Sequence, residues 1–438
     1  MPYPPRHRTT VLQKGQPTPQ VGSFVLNELS SLLPMTTRLV PRAKAARFAT
    51  LFVNGLSRTM RRGEGTVAGG RVGLRIDSQL LRHLSAGRTI VAVSGTNGKT
   101  TTSALLRAAL GDAVGGNVTG ANMPAGHVAA LASSSAMQFV LEVDEAWLPH
   151  VVRESTPRVV CLLNLSRDQL DRASEVRQIA ERWRSMASEA LATAFVANAS
   201  DPLIVDALSA ASNVTWVSVP SSWHADSLSC PRCTAPLRFG DRWECSCGLV
   251  EPLAAWRIDA QGSISTNGET IAVALSLPGL FNRVNAAFAL AACQSLGLPV
   301  TEAASRLTSL ATVQGRYGIR RFGNRQVRLL LAKNPAGVAA LLDEAGTLSP
   351  DVWVSINAQV ADGKDPSWLY DAPFERLVGH NVSCLGERRL DLATRLEVDG
   401  IASRVVDDAA HLDGAGPLVT IIANYTAFQS WMRETTPW

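Results

Sequence analysis

Short apolar runs alternating with amphipathic stretches dominate this chain. Ile90–Val93, Phe139–Leu141, Val159–Leu163, Thr193–Ala197 and Val214–Val219 are brief and mostly apolar. Runs of that length bounded by turn residues predict strands buried on both faces of a parallel sheet. Between them lie stretches of helical spacing: one begins near Ser103, another ends near Leu191, and an Ala-rich one ends at Leu296. Strands alternating with helices predict a doubly wound α/β sheet. Residues 264–275 predict a hairpin around Asn267-Gly268, a favoured turn pair. The alternation then resumes with Val327–Leu331, a helix to Ala345, Val352–Ile356, Val382–Leu385, Leu390–Leu396 and Val419–Ala423. Ahead of it all, residues 24–60 have helical spacing and residues 1–22 the composition of a disordered tail. Gly63–Arg71 predicts a Gly-rich turn leading to the first strand.

The first strand runs into Gly95-Thr96-Asn97-Gly98-Lys99-Thr100-Thr101. Strand, Gly-rich turn, Lys-Thr and helix make a phosphate-binding loop. Its glycines let backbone N–H groups converge on phosphate oxygens, Lys99 adds a point charge, and the Thr100 hydroxyl suits Mg²⁺. The second strand ends in Glu142-Val143-Asp144-Glu145. A carboxylate at the end of a parallel strand beside a phosphate loop is where a Mg²⁺ ligand is needed; Glu142 is the best placed, with Asp144 and Glu145 behind it. The third strand leads to the polar stretch Asn164–Asp171. Asn282 and Asn285, three apart at a helix start, face one way and can donate to and accept from a purine edge.

Cys230, Cys233, Cys245 and Cys247 form two tight pairs separated by eleven residues. That spacing predicts a structural Zn²⁺ ribbon, with Trp243 and Phe239 packing over its knuckles and His224 as a spare ligand. Cys161, Cys293 and Cys384 read as buried core thiols. Arg316 stands at a hinge near Thr312–Tyr317, where a charge can close onto a γ-phosphate. The acid-rich loop Ala361–Asp371, carrying Asp362, Asp365 and Asp371, has the character of a functional loop.

Composition narrows the classes. No run of eighteen apolar residues is present, and the first residues lack a signal-peptide pattern, so a cytoplasmic location is expected. The net charge of +5 permits an anionic substrate or a membrane surface. No basic stripe with interleaved aromatics supports nucleic-acid binding.

Together these motifs resemble the Mur ligase family, ATP-dependent amide-forming enzymes of peptidoglycan synthesis. The resemblance rests on residues 95–100, the strand end at Glu142, Asn164–Asp171 and Asn282-x-x-Asn285. It is sharpened by the Cys₄ insertion, by Arg167-Asp168-Gln169-Leu170-Asp171-Arg172, and by Leu331–Gly337 with Ala361–Trp368. It implies a central P-loop domain over 41–314 with the zinc ribbon inserted at about 224–252. A Rossmann-like α/β domain would follow over 315–438, after a leading segment over 1–40. Within the family the motifs resemble the branch that amidates the α-carboxylate of D-glutamate in the lipid II stem peptide through an acyl phosphate. The cofactors implied are ATP, Mg²⁺ and Zn²⁺, and the ammonia would come from a GatD-type glutaminase in a heterodimer at the inner face of the plasma membrane. The resemblance assigns Asn282 and Asn285 to adenine, Arg316 to the γ-phosphate, Glu142 to Mg²⁺, and an acid of the 362–371 loop, Asp362 ahead of Asp365 and Asp371, to the glutaminase. Ligases of the family that add amino acids carry a Lys after their His-containing motif. Here Gln169 replaces the His, and Arg172–Glu181 holds no Lys. Both departures agree with ammonia as nucleophile and weigh against the alternative, an amino-acid-adding Mur-type or folylpolyglutamate-type ligase.

Overall fold

The structure is a computed structural model that describes residues 39–59, 67–167, 173–220, 225–310, 317–343, 348–407 and 416–438. The readings made above for 1–38, Gly63–Thr66, Asp168–Arg172, His224 and Arg316 lie outside those residues. Leu39–Trp438 form one compact unit.

Helices α1 (Pro41–Thr59), α2 (Ala68–Ile76) and α3 (Leu80–Ser85) precede a nine-stranded sheet. Its strands are β1 (Thr89–Ser94), β2 (Val114–Gly116), β3 (Gln138–Glu142), β4 (Val159–Leu162), β5 (Ala194–Asn198), β6 (Val214–Ser218), β7 (Trp256–Ile258), β8 (Ile264–Thr266) and β9 (Glu269–Ile271). The order is β2-β3-β1-β4-β5-β6-β7-β8-β9, parallel up to β7 and antiparallel beyond it. The β8–β9 turn has Asn267 at φ 50° and Gly268 at φ 84°. Both positive values are what the two-residue turn of a right-twisted hairpin demands. The connecting helices are α4 (Lys99–Leu110), α5 (Pro124–Ala132), α6 (Leu148–Ser155), α7 (Ala173–Glu189), α8 (Pro202–Ala207), α9 (Leu280–Ser295) and α10 (Val300–Arg306).

The period of two sorts each strand between two cores. Ile90, Ala92, Phe139 and Leu141 enter a core shared with α1, α3, α5, α6 and α7. Val91, Val93, Val140 and Cys161 enter another, shared with α4, α9 and α10. Trp183 and Phe139 are fully buried in the first, each burial contributing roughly 1.5–3 kcal/mol.

A second, seven-stranded sheet comprises β10 (Tyr317–Phe322), β11 (Arg325–Leu331), β12 (Asp351–Ser355), β13 (Asn381–Leu385), β14 (Ser403–Val405), β15 (Leu418–Ala423) and β16 (Thr436–Pro437). Its order is β14-β13-β12-β15-β11-β10-β16, parallel from β14 to β11 with two antiparallel strands at one edge. Helices α11 (Pro335–Leu342), α12 (Arg389–Val398) and α13 (Tyr425–Glu434) connect it.

Several expectations are corrected. The Gly-rich stretch is a helix from Ala68, not a turn. A Cβ on Gly69 would lie 2.2 Å from the Thr50 carbonyl, and one on Gly70 1.8 Å from that of Ala125. These glycines serve close helix packing. Helix α4 begins at Lys99, not Ser103, because left-handed Gly98 (φ 86°) turns the chain directly into it. Of the two aromatics expected over the ribbon, Trp243 is buried at 3 % exposed and Phe239 is 39 % exposed. Strands β2, β7, β10, β14 and β16 were not anticipated.

Candidate active site

In an open parallel sheet the carboxyl ends on either side of the strand where connections reverse direction leave a crevice. Here that strand is β1, flanked by β3 and β4. A cavity of about 360 Å³ opens there, walled by the loops after β1, β3, β4, β5 and β6 and closed from the second sheet by the end of β11 and by α11.

The phosphate loop is fixed from below. Thr96 N donates to Asn164 O (3.0 Å) and Asn97 N to Asn164 Oδ1 (2.9 Å). Thr96 Oγ1 donates to Ser166 O and accepts from Ser166 N, both at 3.0 Å. Gly95 (φ 138°) lies so close to Asn164 that a Cβ would sit 2.9 Å from its nitrogen. Asn164 is held through its neighbour: Leu165 N donates to Asp201 Oδ2 (2.7 Å), while Asp201 Oδ1 caps α8 at Leu203 N (3.0 Å). Burial outweighs these N–H donors and raises the Asp201 carboxyl to about 6.

Lys99 is buried and curls over its own loop. Its Nζ donates to Gly95 O (2.5 Å), Thr96 O (3.3 Å) and Glu145 Oε2 (3.1 Å). Burial raises the Glu145 carboxyl, with Lys99 and more weakly Lys333 opposing it. Thr100, Thr101, Asp144 and Glu145 line the cavity. Glu142 is 4 % exposed at the end of β3 and is not among the lining residues; its carbonyl accepts from Asn117 Nδ2 and meets His127 Nε2 at 2.8 Å each.

Asn282 and Asn285 are buried in the cavity wall. Asn282 Nδ2 donates to Pro278 O (2.6 Å), and Asn285 Oδ1 accepts from Thr102 Oγ1 (3.1 Å). Those bonds leave one side-chain oxygen and one amide group of the pair for a ligand.

From the second sheet, Lys333 and Asn334 follow β11 directly. Asn97 and Asn334 exchange side-chain amide bonds at 3.3 and 3.2 Å, and Asn334 Oδ1 caps α11 at Gly337 N (2.8 Å). Sequence reasoning quoted these two residues without giving them a role. Their position immediately after an apolar run is the signal that marks them. Arg167 makes a second tie between the sheets, pairing with Asp226 and, at 3.5 Å, with Asp371.

Asp362 lies elsewhere, at the carboxyl end of the second sheet. It is buried and caps α13: Oδ1 accepts from Thr426 N (2.9 Å), and Oδ2 accepts from Thr426 Oγ1 and from Gln359 N (3.3 Å). Asp365 is exposed, accepting from Ser367 N (2.9 Å), and that N–H holds its carboxyl below the ordinary range.

The four cysteine sulfurs lie within 4.8 Å of one another, with Cys230–Cys247 at 3.6 Å and Cys233–Cys245 at 3.4 Å. These separations are too long for S–S bonds and match the edges of a thiolate tetrahedron around Zn²⁺. The ribbon is pinned to the sheet: Trp243 Nε1 donates to Ala199 O (3.0 Å), and Glu251 Oε1 accepts from Ser200 Oγ (3.0 Å) and Ser218 Oγ (3.2 Å). Its lead-in residues Asp226 and Ser227 line the cavity. The other cysteines are buried, and burial pushes the Cys293 thiol to about 12 and that of Cys384 to about 11.

A P-loop at the switch point of one sheet, closed against a second α/β sheet, defines a Mur ligase-type enzyme. The Mur ligase middle-domain family matches residues 93–293, and the MurT ligase C-terminal family matches 331–428. The chain is similar to MurT ligases over most of its length. It is 29 % identical over 410 residues to the MurT subunit of lipid II isoglutaminyl synthase (glutamine-hydrolyzing) of Staphylococcus aureus, covering 84 % of this chain and 92 % of that one. The Streptococcus pneumoniae MurT subunit is 26 % identical, with 84 % and 91 % covered. A pseudomurein peptide ligase type C from Methanothermus fervidus shares the fold at TM-score 0.60 and 19 % identity, over 79 % of this chain and 78 % of that one. MurF ligase from Thermotoga maritima, in complex with ADP, does so at 0.59 and 16 %, over 83 % of each.

Proposed function

We propose that this chain is the synthetase subunit of a two-component amidotransferase that converts the D-glutamate α-carboxylate of lipid II to the amide. The observation that carries the reading is the similarity of 84 % of the chain to MurT subunits, together with a cavity walled by P-loop, acids and Lys333. The domains would be those expected above, 41–314 and 315–438.

In this reading the loop N–H groups and Lys99 hold the triphosphate, and Asn282 and Asn285 take the adenine edge. Lys99 must leave Glu145 to meet phosphate, a short swing of one side chain. A carboxylate oxygen of the acceptor attacks the γ-phosphorus, and the bond to ADP breaks. Lys99 and Lys333 offset the charge of the resulting acyl phosphate. Ammonia then attacks the acyl carbon, phosphate leaves, and one proton is released. The ammonia comes from glutamine plus water on a GatD-type partner. Thr100 and the acids after β3, Glu142 first, are hard oxygen donors of the type that hold Mg²⁺, which would neutralise phosphate charge when bound. The four cysteines would hold Zn²⁺ as a structural staple. An acid of the 362–371 loop would face the glutaminase, Asp362 ahead of Asp365 and Asp371; Asp362 is held in place by Thr426, and Asp365 and Asp371 are exposed.

The test is mass analysis of purified lipid II after incubation with the chain, ATP and concentrated ammonium. A loss of about one mass unit that vanishes in Lys99→Ala supports the reading. ATP binding with unchanged lipid II, even with a glutaminase partner and glutamine present, overturns it.

A further inference from the structure

Helix α1 is built inside out. The face it turns to the protein carries Ala43, Ala46, Arg47, Thr50 and Asn54. Its outward face carries Phe48, Phe52 and Leu56, exposed at 52, 58 and 51 %. These three stand four residues apart and form one stripe along the helix. The rings of Phe48 and Phe52 stack with centroids 6.3 Å apart. The cause lies in α2, whose Gly69 and Gly73 approach so closely that a Cβ on either would lie about 2 Å from Thr50. Only small and polar groups fit that seam, so the large apolar side chains point out.

The charge around the stripe has one sign. Arg42, Lys44 and Arg58 on α1 and Arg71 and Arg75 on the adjoining α2 are all exposed. No acidic side chain occurs among the described residues from Leu39 to Ile76; the first is Asp77, buried against His83. An apolar helical stripe set in a cationic field matches the boundary between anionic headgroups and acyl chains. A protein partner would need its own concentration of acids aligned to this patch, whereas an anionic bilayer supplies them in any register. Behind the patch, buried Gly70 of α2 rests on the backbone of Ala125, three residues after Asn122, which lines the cavity.

We propose that the outward face of α1, with α2 beside it, is a docking surface for an anionic lipid bilayer. The surface is defined by α1 and α2 alone and stands whether or not lipid II is the acceptor.

The experiment is co-sedimentation of the full-length chain with substrate-free phosphatidylcholine vesicles, with and without about one quarter phosphatidylglycerol. Binding is expected only to the anionic vesicles and should weaken as salt is raised. Phe48→Ser/Phe52→Ser/Leu56→Ser and Lys44→Glu/Arg71→Glu should each lower the partition coefficient by at least about tenfold. Both sets lie on exposed positions, and an unchanged thermal melt and unchanged nucleotide binding would show that the fold is intact. No binding by the unaltered chain, or equal binding by the apolar triple variant, overturns the proposal. So does a change in self-association of that variant without vesicle binding, which would assign the stripe to a second copy.

Discussion

The two parallel sheets present polar side chains at their carboxyl ends in opposite ways. At the first sheet, Lys99, Glu145, Asp144 and the Asn282–Asn285 pair surround a space. At the second, Asp362 is closed onto Thr426, and Asn424 exchanges bonds with the backbone of Asn357, Oδ1 accepting from its N at 3.0 Å and Nδ2 donating to its O at 2.7 Å. One end keeps its partners around a cavity, and the other uses them up within the fold. A polar cluster that satisfies itself rigidifies a loop; one arranged around a void waits for a ligand. The second end thus holds its loops in place, while β11 of the same sheet sends Lys333 and Asn334 across to complete the first.

The largest expected effect comes from the ribbon that braces the cavity wall. Cys245→Ser, or stripping metal with a chelator, should unfold the segment that carries Trp243 and Glu251, with loss of bound zinc and a lower, broader melting transition. A structural zinc site commonly contributes about 10 kcal/mol of binding free energy to folding, so the change should be unmistakable. Next is Lys99→Met, for which the amidation rate at saturating ATP should fall roughly 10²–10³-fold. A fall of less than tenfold would mean that the lysine serves the conformation of its own loop and not the reaction.

Asp201 supplies a test by pH. Its carboxyl is raised by burial to about 6, against an ordinary 3.8 in the unfolded chain. Between those values the native state holds a proton that the unfolded state has lost, so stability falls as pH rises through this window. The difference reaches about 3 kcal/mol above it. Denaturant midpoints across pH should show this slope, and Asp201→Asn, which can still cap α8, should flatten it. The smallest effect belongs to the closed end: Thr426→Val removes one hydroxyl donor from Asp362 and should cost about 1 kcal/mol in a denaturant melt. If it instead abolished ammonia-driven amidation, the contrast between the two ends would collapse.

Local chemistry made part of this legible in the sequence. Gly95, Gly98 and Lys99 act within a few residues of one another, and the cysteine pairs carry their spacing with them. The strands from β1 to β6 announced themselves as short, mostly apolar runs, except β2, where two of three residues are glycine. Strand β10 was missed because Arg320 and Arg321 break its apolar alternation. Gly69 and Gly70 were misread because helix packing and turns use the same residue. What no local pattern carries is partnership at long range. Glu145 on Lys99, Asp201 on Leu165 and Asn334 on Asn97 are separated by 46, 36 and 237 positions, and only the folded sheets bring them together.

The central claim is that the cavity at the end of the first sheet activates a carboxylate by phosphorylation. It is tested most directly with lipid II bearing ¹⁸O in the D-glutamate α-carboxylate, incubated with the chain, ATP and ammonium. If an acyl phosphate forms and ammonia displaces it, ¹⁸O must appear in the released phosphate as the amide appears in lipid II. Amide formation with unlabelled phosphate would contradict the account.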